Sequence, residues 1–516
     1  MKKYLNIIVW VLTLTVFSGC SKFLDRPLEN QGQATKIDYT NLSLMYQPVS
    51  GVYRTASSGS FARWIIVALI SERSDDIEPG NDDAGQIGIH NFQSDVTVKS
   101  YWAVNDMWIN LYGVALAANS ALAELDEFAK NIPASDAENT RLLARYRAEV
   151  RYFRAMAHFW VGRLYGAVPI LGQESNDPKN LATAKKSSIE DVKNYVISEM
   201  DTCIADLEDA RPNEATHMGG VTKYTALMLK AKAAMDLAGN DNGSPFWDVV
   251  LDCTNQIVAS GKFSLFEDYY QLWKNPGKLS NESILEFQYS DFGAESGDIV
   301  TSGSNPNETW ANFFLFQGPE NSVGGVINGS GWMVPTQRAV DFLTARNDSI
   351  RLKTAIQYCG VNGETDTYAT TPDGDVVSGN AGRRKYFNGK AYFPISQMTP
   401  GRTDYYGANN NIRIYRYADA LLMNAEAKIR KAQNGDAQIN EVRNRVGLSS
   451  LTNANFEQLL DERHAELICE WWGERFNDLL RTDQAATVLP GFTKGRSEYI
   501  PIPQAQEDAN SNLLTP

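Results

Sequence analysis

Residues 151–171 are RYFRAMAHFWVGRLYGAVPIL, and their apolar side chains follow a helical spacing. The apolar positions recur at intervals of three and four, at Val150, Phe153, Ala157, Trp160, Val161 and Leu164. This spacing places them on one face of an α-helix, and Gly166, with Pro169 just beyond it, is typical of a helix end. The stretch therefore predicts a long helix with one face packed against a neighbour.

The same spacing recurs on both sides of this helix. It predicts further helices over residues 102–128, 189–207, 222–237, 247–260, 412–431, 437–446 and 456–481. The two helices joined by GNDNGSP resemble a tetratricopeptide unit, because small side chains in the first let the second approach closely. With about eight helices in all, we predict a mostly α fold whose scaffold is about four stacked helical pairs.

The middle of the chain has a different composition. Segments such as NSVGGVINGSGW and TPDGDVVSGNAGRR are rich in Gly, Ser and Asn. Aromatic residues keep recurring between them, which is not typical of disordered linkers, and long irregular loops commonly carry function. We predict one domain over 38–516, with the helical scaffold in 38–262 and 412–516 and a loop-rich insertion over 263–411 that forms an irregular ligand-binding face.

The N-terminus has the pattern of an export signal. Two lysines precede an apolar run that ends at Ser18-Gly19, and this run is too short to span a bilayer. The sequence FSGC resembles a bacterial lipobox, in which Cys20 is lipidated and becomes the mature N-terminus. We predict a signal peptide over 1–19 and a lipidated Cys20 with a polar tether over 20–37, which holds the protein at a membrane surface.

Composition excludes several classes of function. The 516 residues include 48 Lys+Arg and 62 Asp+Glu, a net charge of −14, so a nucleic-acid partner is not expected. Four histidines and five scattered cysteines provide little material for a zinc site or a disulfide framework. The motifs H-E-x-x-H, G-x-S-x-G and G-x-x-x-x-G-K-[ST] are absent. We therefore predict a protein that is not an enzyme and has no cofactor.

Several segments resemble the SusD/RagB family of Bacteroidetes outer-membrane lipoproteins. They are CSKFLD (20–25), SDD (74–76), WINLYGVALAANSAL (108–122), RYFRAMAHFWVGRLYGAVPIL (151–171), IRIYRYADALLMNAEA (412–427), ERHAELICEWWGERFNDLLR (462–481) and YIPIPQAQEDANSNL (499–513). The resemblance implies a tetratricopeptide-like scaffold and a lipoprotein anchored at the cell surface of the outer membrane. It also implies that the protein captures an oligosaccharide or polysaccharide and delivers it to a SusC-like TonB-dependent transporter.

Sugar binding requires aromatic rings that stack on the C–H face of a pyranose and polar groups that bind its hydroxyls. Trp64, Trp108, Trp160, Trp471 and Trp472 have the spacing of core residues. Trp102, Trp310 and Trp332 instead lie at a helix start or in loops, so we predict that they form the stacking platform. The polar candidates are Asp75, Asp76, Asn81 and Asn105, with Tyr289 as a lesser aromatic candidate.

Three alternatives remain open at this point. The acidic stretch DDIEPGNDD (75–83) has the oxygen ligands of a Ca²⁺ site, although a solvated loop also fits it. A peptide-binding importer subunit of the RagB type would have a deeper cleft with strand edges that pair with a peptide backbone. A tetratricopeptide scaffold that docks proteins would leave Trp102, Trp310 and Trp332 buried or scattered.

Overall fold

The computed structural model describes residues 37–57, 61, 64–172, 182–289, 314, 316–319, 321–322, 329–359, 368–378, 385–397 and 410–514. Its helices are α1 Gln47–Thr55, α2 Trp64–Ile70, α3 Ala84–His90, α4 Val96–Lys99, α5 Trp102–Ala129, α6 Ala137–Tyr165, α7 Ile189–Cys203, α8 Lys223–Ala238, α9 Phe246–Ala259, α10 Gln337–Ala345, α11 Ser349–Ala355, α12 Tyr417–Arg430, α13 Asp436–Arg445, α14 Phe456–Leu467, α15 Glu474–Arg481, α16 Ala485–Val488 and α17 Gln504–Ala509. The prediction of a mostly α, tetratricopeptide-like fold is confirmed.

The long helices form a stack in which each packs on the next. Helix α5 packs on α6, α6 on α7, α7 on α8, α8 on α9, and α9 on α12, which also contacts α13 and α14. Small residues allow this close approach: a Cβ at Gly162 of α6 would lie 3.1 Å from side-chain atoms of Ile189 and Val192 of α7. The core runs through the whole stack and includes the tryptophans predicted to be buried, among them Trp64, which is 5% exposed.

The strands are short and antiparallel. They are β1 Ile77–Pro79, β2 Ser283–Phe287, β3 Asn321–Ser322, β4 Met333–Pro335, β5 Ile356–Tyr358, β6 Tyr368–Thr370, β7 Val376–Ser378, β8 Tyr386–Asn388 and β9 Ile412–Arg416. The described strands pair as β1–β4, β2–β9, β5–β8 and β3–β7–β6. The β1–β4 ribbon pairs Ile77 with Pro335 and Pro79 with Met333, and it positions the candidate site.

Two predicted helices differ from the structure. Residues 412–431 begin as strand β9, because Ile412–Arg416 pairs with β2, and become helical only from Tyr417. Residues 456–481 form two helices instead of one. The chain turns at Cys469 (φ 58°) and Gly473 (φ 60°), and a Cβ at Gly473 would overlap Ile70 of α2.

A network of buried ion pairs joins the C-terminal helices to the rest of the chain. Glu462 and Glu466 of α14 are fully buried and both bind Arg351 of α11, at 2.7 and 2.9 Å. Glu466 also binds Arg416 of β9 and Arg445 of α13. The arginine partners of both carboxylates come from elements other than α14.

Candidate functional site

Four aromatic residues meet at the N-terminal end of α5 and form what we call the tryptophan shelf: Trp64, Trp102, Phe316 and Trp332. Trp64 lies at the centre, with ring centroids 6.0 Å from Trp102, 4.7 Å from Phe316 and 5.2 Å from Trp332. Trp102 is 49% exposed and Trp332 is half-buried. The shelf therefore presents two indole rings to solvent above a buried third one.

Tyr101 anchors the start of α5 in the core, and the next residue, Trp102, remains exposed to solvent. Tyr101 is buried against Gly85 of α3, where any Cβ would overlap the Tyr101 ring. Burial, and then the nearby Asp83 carboxylate, raise the pKa of Tyr101 above its usual value. Because neighbouring residues at a helix start point in different directions, the anchored Tyr101 keeps the Trp102 ring exposed.

Trp332 is held through its backbone at the other end of the shelf. Its carbonyl oxygen accepts hydrogen bonds from the Gly80 amide at 2.6 Å and from Gln86 Nε2 at 3.1 Å. Its amide donates to the Phe316 carbonyl at 2.8 Å. These bonds fix the loop before β4, so the Trp332 ring is placed before any ligand arrives.

Asn81 lies beside this anchor. Its Nδ2 donates to Gln86 Oε1 at 2.7 Å, and Gln86 is fully buried. Gln86 also donates to Glu72, whose burial raises the pKa of its carboxyl group well above the usual value. The network thus connects the predicted residues Asn81 and Trp332 through Gln86.

Asn105 lies one turn along α5 from Trp102. Its Oδ1 accepts a hydrogen bond of 2.9 Å from Gln506 Nε2 of α17, near the C-terminus. The Nδ2 of Asn105 and the Oε1 of Gln506 have no hydrogen-bond partner among the described residues. A donor and an acceptor side by side suit the hydroxyl groups of a sugar.

The predicted residues Asp75 and Asp76 lie elsewhere. They are about four residues, or about 13 Å along the strand, from the point where Gly80 meets Trp332. Asp75 binds Arg475 at 2.8 Å, and Asp76 binds His464 at 2.6 Å. Burial alone would raise the pKa of Asp75, but the hydrogen bond and charge of Arg475 hold it below its usual value. The structure gives Asp75 a salt-bridge partner and Asp76 a hydrogen-bond partner, and it does not bring either aspartate to the shelf.

These two aspartates and His464 are also the described residues best placed for a metal ion. Their ligand atoms lie within 4.8 Å of one another, beside a cavity of about 250 Å³. However, Arg475 and Arg338 lie within 4 Å of Asp75 and already neutralise its charge. Asp83, at the other end of the acidic stretch, caps α3 instead. A calcium site in 75–83 stays a prediction.

Three other predictions have separate outcomes. Tyr289 is 2% exposed and its hydroxyl donates to the Ser57 carbonyl at 2.8 Å, so it is a core residue that cannot stack on a ligand. Trp310 and Cys20 lie outside the described residues.

Sequence reasoning missed Phe316, Gln86 and Gln506. The pattern Asp83-x-x-Gln86 indicates a helix start, but it does not reveal that Gln86 also contacts Trp332.

Comparisons with known proteins show similarity to one family. The model of the SusD family matches residues 281–508. SusD-like protein P25 of Formosa agariphila is 25% identical, over 93% of this chain and 90% of its own length. The starch-binding protein SusD of Bacteroides thetaiotaomicron is 24% identical, over 65% of this chain and 64% of its own. The chain is therefore similar to the SusD family, most clearly over residues 281–508.

Solved structures agree on the fold. Surface glycan-binding protein A from Bacteroides thetaiotaomicron, in complex with laminarihexaose, has a TM-score of 0.70 to this chain. It is 21% identical, and the alignment covers 92% of this chain and 98% of that one.

Within the described residues, every helix is too short or too polar to cross a membrane.

Proposed function

We propose that the protein binds carbohydrate on the tryptophan shelf and catalyses no reaction. The observation that carries the proposal is the convergence of Trp102 and Trp332 on Trp64, with ring centroids 6.0 and 5.2 Å away. Two indole rings offer stacking surfaces for pyranose rings, and Asn81 and Asn105 provide amides beside them. Relatives whose names refer to starch and glycan binding support the same class of ligand.

The same convergence favours carbohydrate binding over a protein-docking scaffold, which would leave these tryptophans buried or scattered. A peptide-binding subunit would require strand edges that open into a cleft. The shelf instead offers exposed rings on a helix start and a loop. Each stacked ring should contribute about 1 kcal/mol, so we expect affinities from about micromolar to millimolar. Such weak binding suits a protein that passes its ligand on.

We also propose that the protein acts at the cell surface. Cys20 would carry the lipid anchor in the outer membrane, and a SusC-like TonB-dependent transporter would receive the carbohydrate. Similarity to the SusD family supports both parts of this proposal. Loss of palmitate labelling in a Cys20→Ser variant is the corresponding test of the anchor.

Native affinity gels with soluble plant, fungal and host polysaccharides test the binding proposal. The protein without residues 1–20 should be retarded by at least one polysaccharide. Trp102→Ala and Trp332→Ala should each weaken binding about fivefold, because each removes about 1 kcal/mol of stacking.

The matched control is Tyr358→Ala, which removes a ring that is 46% exposed on β5 and that packs on Tyr386 instead of a shelf residue. This variant should bind as the unaltered protein does. Equal retardation of all four proteins would contradict a role for the shelf. No retardation on any polysaccharide, with folding confirmed by circular dichroism, would contradict carbohydrate binding.

A further inference from the structure

A second cavity lies beside the shelf, between α5 and the C-terminal helix α17. Its volume is about 180 Å³. Pro169, Ala509 and Leu513 line it with apolar groups, and the side chains of Gln506 and Asn510 add two amides. Its described lining contains no charged side chain. The cavity therefore suits an uncharged group with an apolar part and an amide-like part.

The walls of this cavity are fixed by hydrogen bonds on both sides. The Tyr112 hydroxyl donates to the Pro169 carbonyl at 2.7 Å. Asn510 Nδ2 donates to the Ala184 carbonyl at 2.8 Å, and Asn512 Nδ2 donates to the Thr183 carbonyl at 3.0 Å. These hydrogen bonds hold the C-terminal segment that forms one wall of the cavity.

The cavity and the shelf share helix α5 as a wall. Trp102, Asn105 and Trp108 follow one another at intervals of one helical turn, and Trp108 lines the cavity. Between them stands the Asn105–Gln506 pair, of which Gln506 also lines the cavity. Trp102 and Trp108 are six residues apart, about 9 Å along the helix axis, so a sugar chain of a few residues is long enough to contact both the shelf and the cavity.

We propose that this cavity is a subsite for an N-acetylated sugar residue. The acetamido methyl group would pack on Ala509, Leu513 and Pro169, and the acetamido N–H would donate to Gln506 Oε1. A sugar with only hydroxyl groups would lose hydrogen bonds to water against these apolar walls, which costs free energy. The proposal rests on the proposed function only because one sugar chain would occupy both the shelf and the cavity.

Saturation-transfer NMR with N-acetylglucosamine, and with glucose as the comparison sugar, tests the cavity separately from the shelf. The acetamido methyl group should receive saturation from the unaltered protein, and glucose should receive at least about fivefold less. Ala509→Phe, which fills the cavity from an exposed position, should abolish the methyl signal. Ala505→Phe, an exposed position of α17 outside the cavity lining, is the matched control and should keep it.

Trp102→Ala distinguishes the two sites. It should keep the methyl signal, because a single sugar in the cavity does not need the shelf. If Trp102→Ala abolishes the signal and Ala509→Phe does not, the sugar binds on the shelf, and the subsite proposal is overturned while carbohydrate binding stands. An absent methyl signal with the unaltered protein, or an equal signal in Ala509→Phe, also overturns the subsite.

Discussion

Trp102 differs from the other tryptophans of the chain in what surrounds it. Trp160, Trp247, Trp273 and Trp471 are at most 1% exposed, whereas Trp102 is 49% exposed. Full burial of an aromatic side chain would stabilise the fold by roughly 1.5–3 kcal/mol, and a half-exposed ring contributes only part of this free energy. A ligand that covers the ring recovers this free energy, which is why the exposed ring is a better indicator of binding than the buried ones.

A buried carboxyl group gives the protein a pH-dependent stability. Glu149 of α6 is 3% exposed, and burial raises its pKa to about 7, although the Tyr53 hydrogen bond and the Arg145 charge oppose this rise. Between pH 4.5 and 7 the folded protein keeps this proton and the unfolded chain has lost it. The Glu149 contribution to the free energy of unfolding should therefore fall by about 3 kcal/mol as the pH rises through this range.

Urea unfolding of the unaltered protein and of Glu149→Gln at several pH values measures this contribution as the difference between the two proteins. Glu127→Gln, at a position whose side chain is 48% exposed, controls for loss of a carboxyl group. A difference between the unaltered protein and Glu149→Gln that stays constant from pH 4.5 to 7 would show that the carboxyl group is ionised in the folded protein.

Local sequence predicts site residues when the cause of their exposure is local. Trp102 and Trp332 were predicted as site residues because a helix start and a Gly-rich loop leave side chains uncovered. Asp75 was expected to face a ligand, but its partner Arg475 lies 400 positions away in the sequence. Gln506 was not predicted as a site residue for the same reason, because its partner Asn105 lies 401 positions away in the sequence. Long-range pairing decides whether a polar side chain is free to contact a ligand or is bound to a charged partner. Local sequence patterns do not reveal this pairing.

At the scale of the elements, side-chain spacing predicts where helices exist better than where they break. Residues 456–481 keep helical spacing through the turn at Gly473, because both α14 and α15 bury one face. At the break, Gly473 lies so close to Ile70 of α2 that a Cβ there would overlap the Ile70 side chain. Likewise, β9 is a strand because β2 pairs with it, and the preference of its residues alone does not require this.

The Gly473 turn should be sensitive to a single methyl group. Gly473→Ala adds a Cβ that overlaps Ile70 and places a non-glycine residue at φ 60°. Backbone strain and overpacking together should lower the free energy of unfolding by about 3 kcal/mol.

The matched control is Gly447→Ala, at φ 72° with no atom within 4 Å of the new Cβ, which should cost only about 1 kcal/mol of backbone strain. Chemical denaturation of both variants measures the two losses. Equal losses would mean that the contact with Ile70 is relieved at no cost and that backbone strain alone explains the turn.

At the scale of the whole molecule, buried charges connect segments that are distant in the sequence. Arg351 binds Asp348, Glu462 and Glu466 with no exposed surface on any of the four side chains. Glu466 is held ionised by Arg445, Arg351 and Arg416, which keep its pKa below the usual value against the effect of burial. The insertion and the C-terminal helices are thus joined at a point where an unpaired charge would be costly.

Removing Arg351 should therefore destabilise the whole protein. Arg351→Met leaves buried carboxylates without one partner and should cost about 3–5 kcal/mol. Arg147→Met removes an arginine that pairs with Asp126 while both side chains are partly exposed (33% and 46%), and it should cost at most about 1 kcal/mol. Thermal unfolding of the two variants compares them, and similar midpoints would contradict a structural role for the network.

The contact between Asn105 and Gln506 joins residues 401 positions apart. Helices α5 and α6 are neighbours in the sequence and can pack early in folding, whereas the boundary between shelf and cavity needs a segment from the far end of the chain. The recognition surface is therefore among the last parts of the molecule to mature. A chain cleaved before Gln506 would display Trp102 without the amide that borders it, so ligand binding would report that the segment around Gln506 is present and docked.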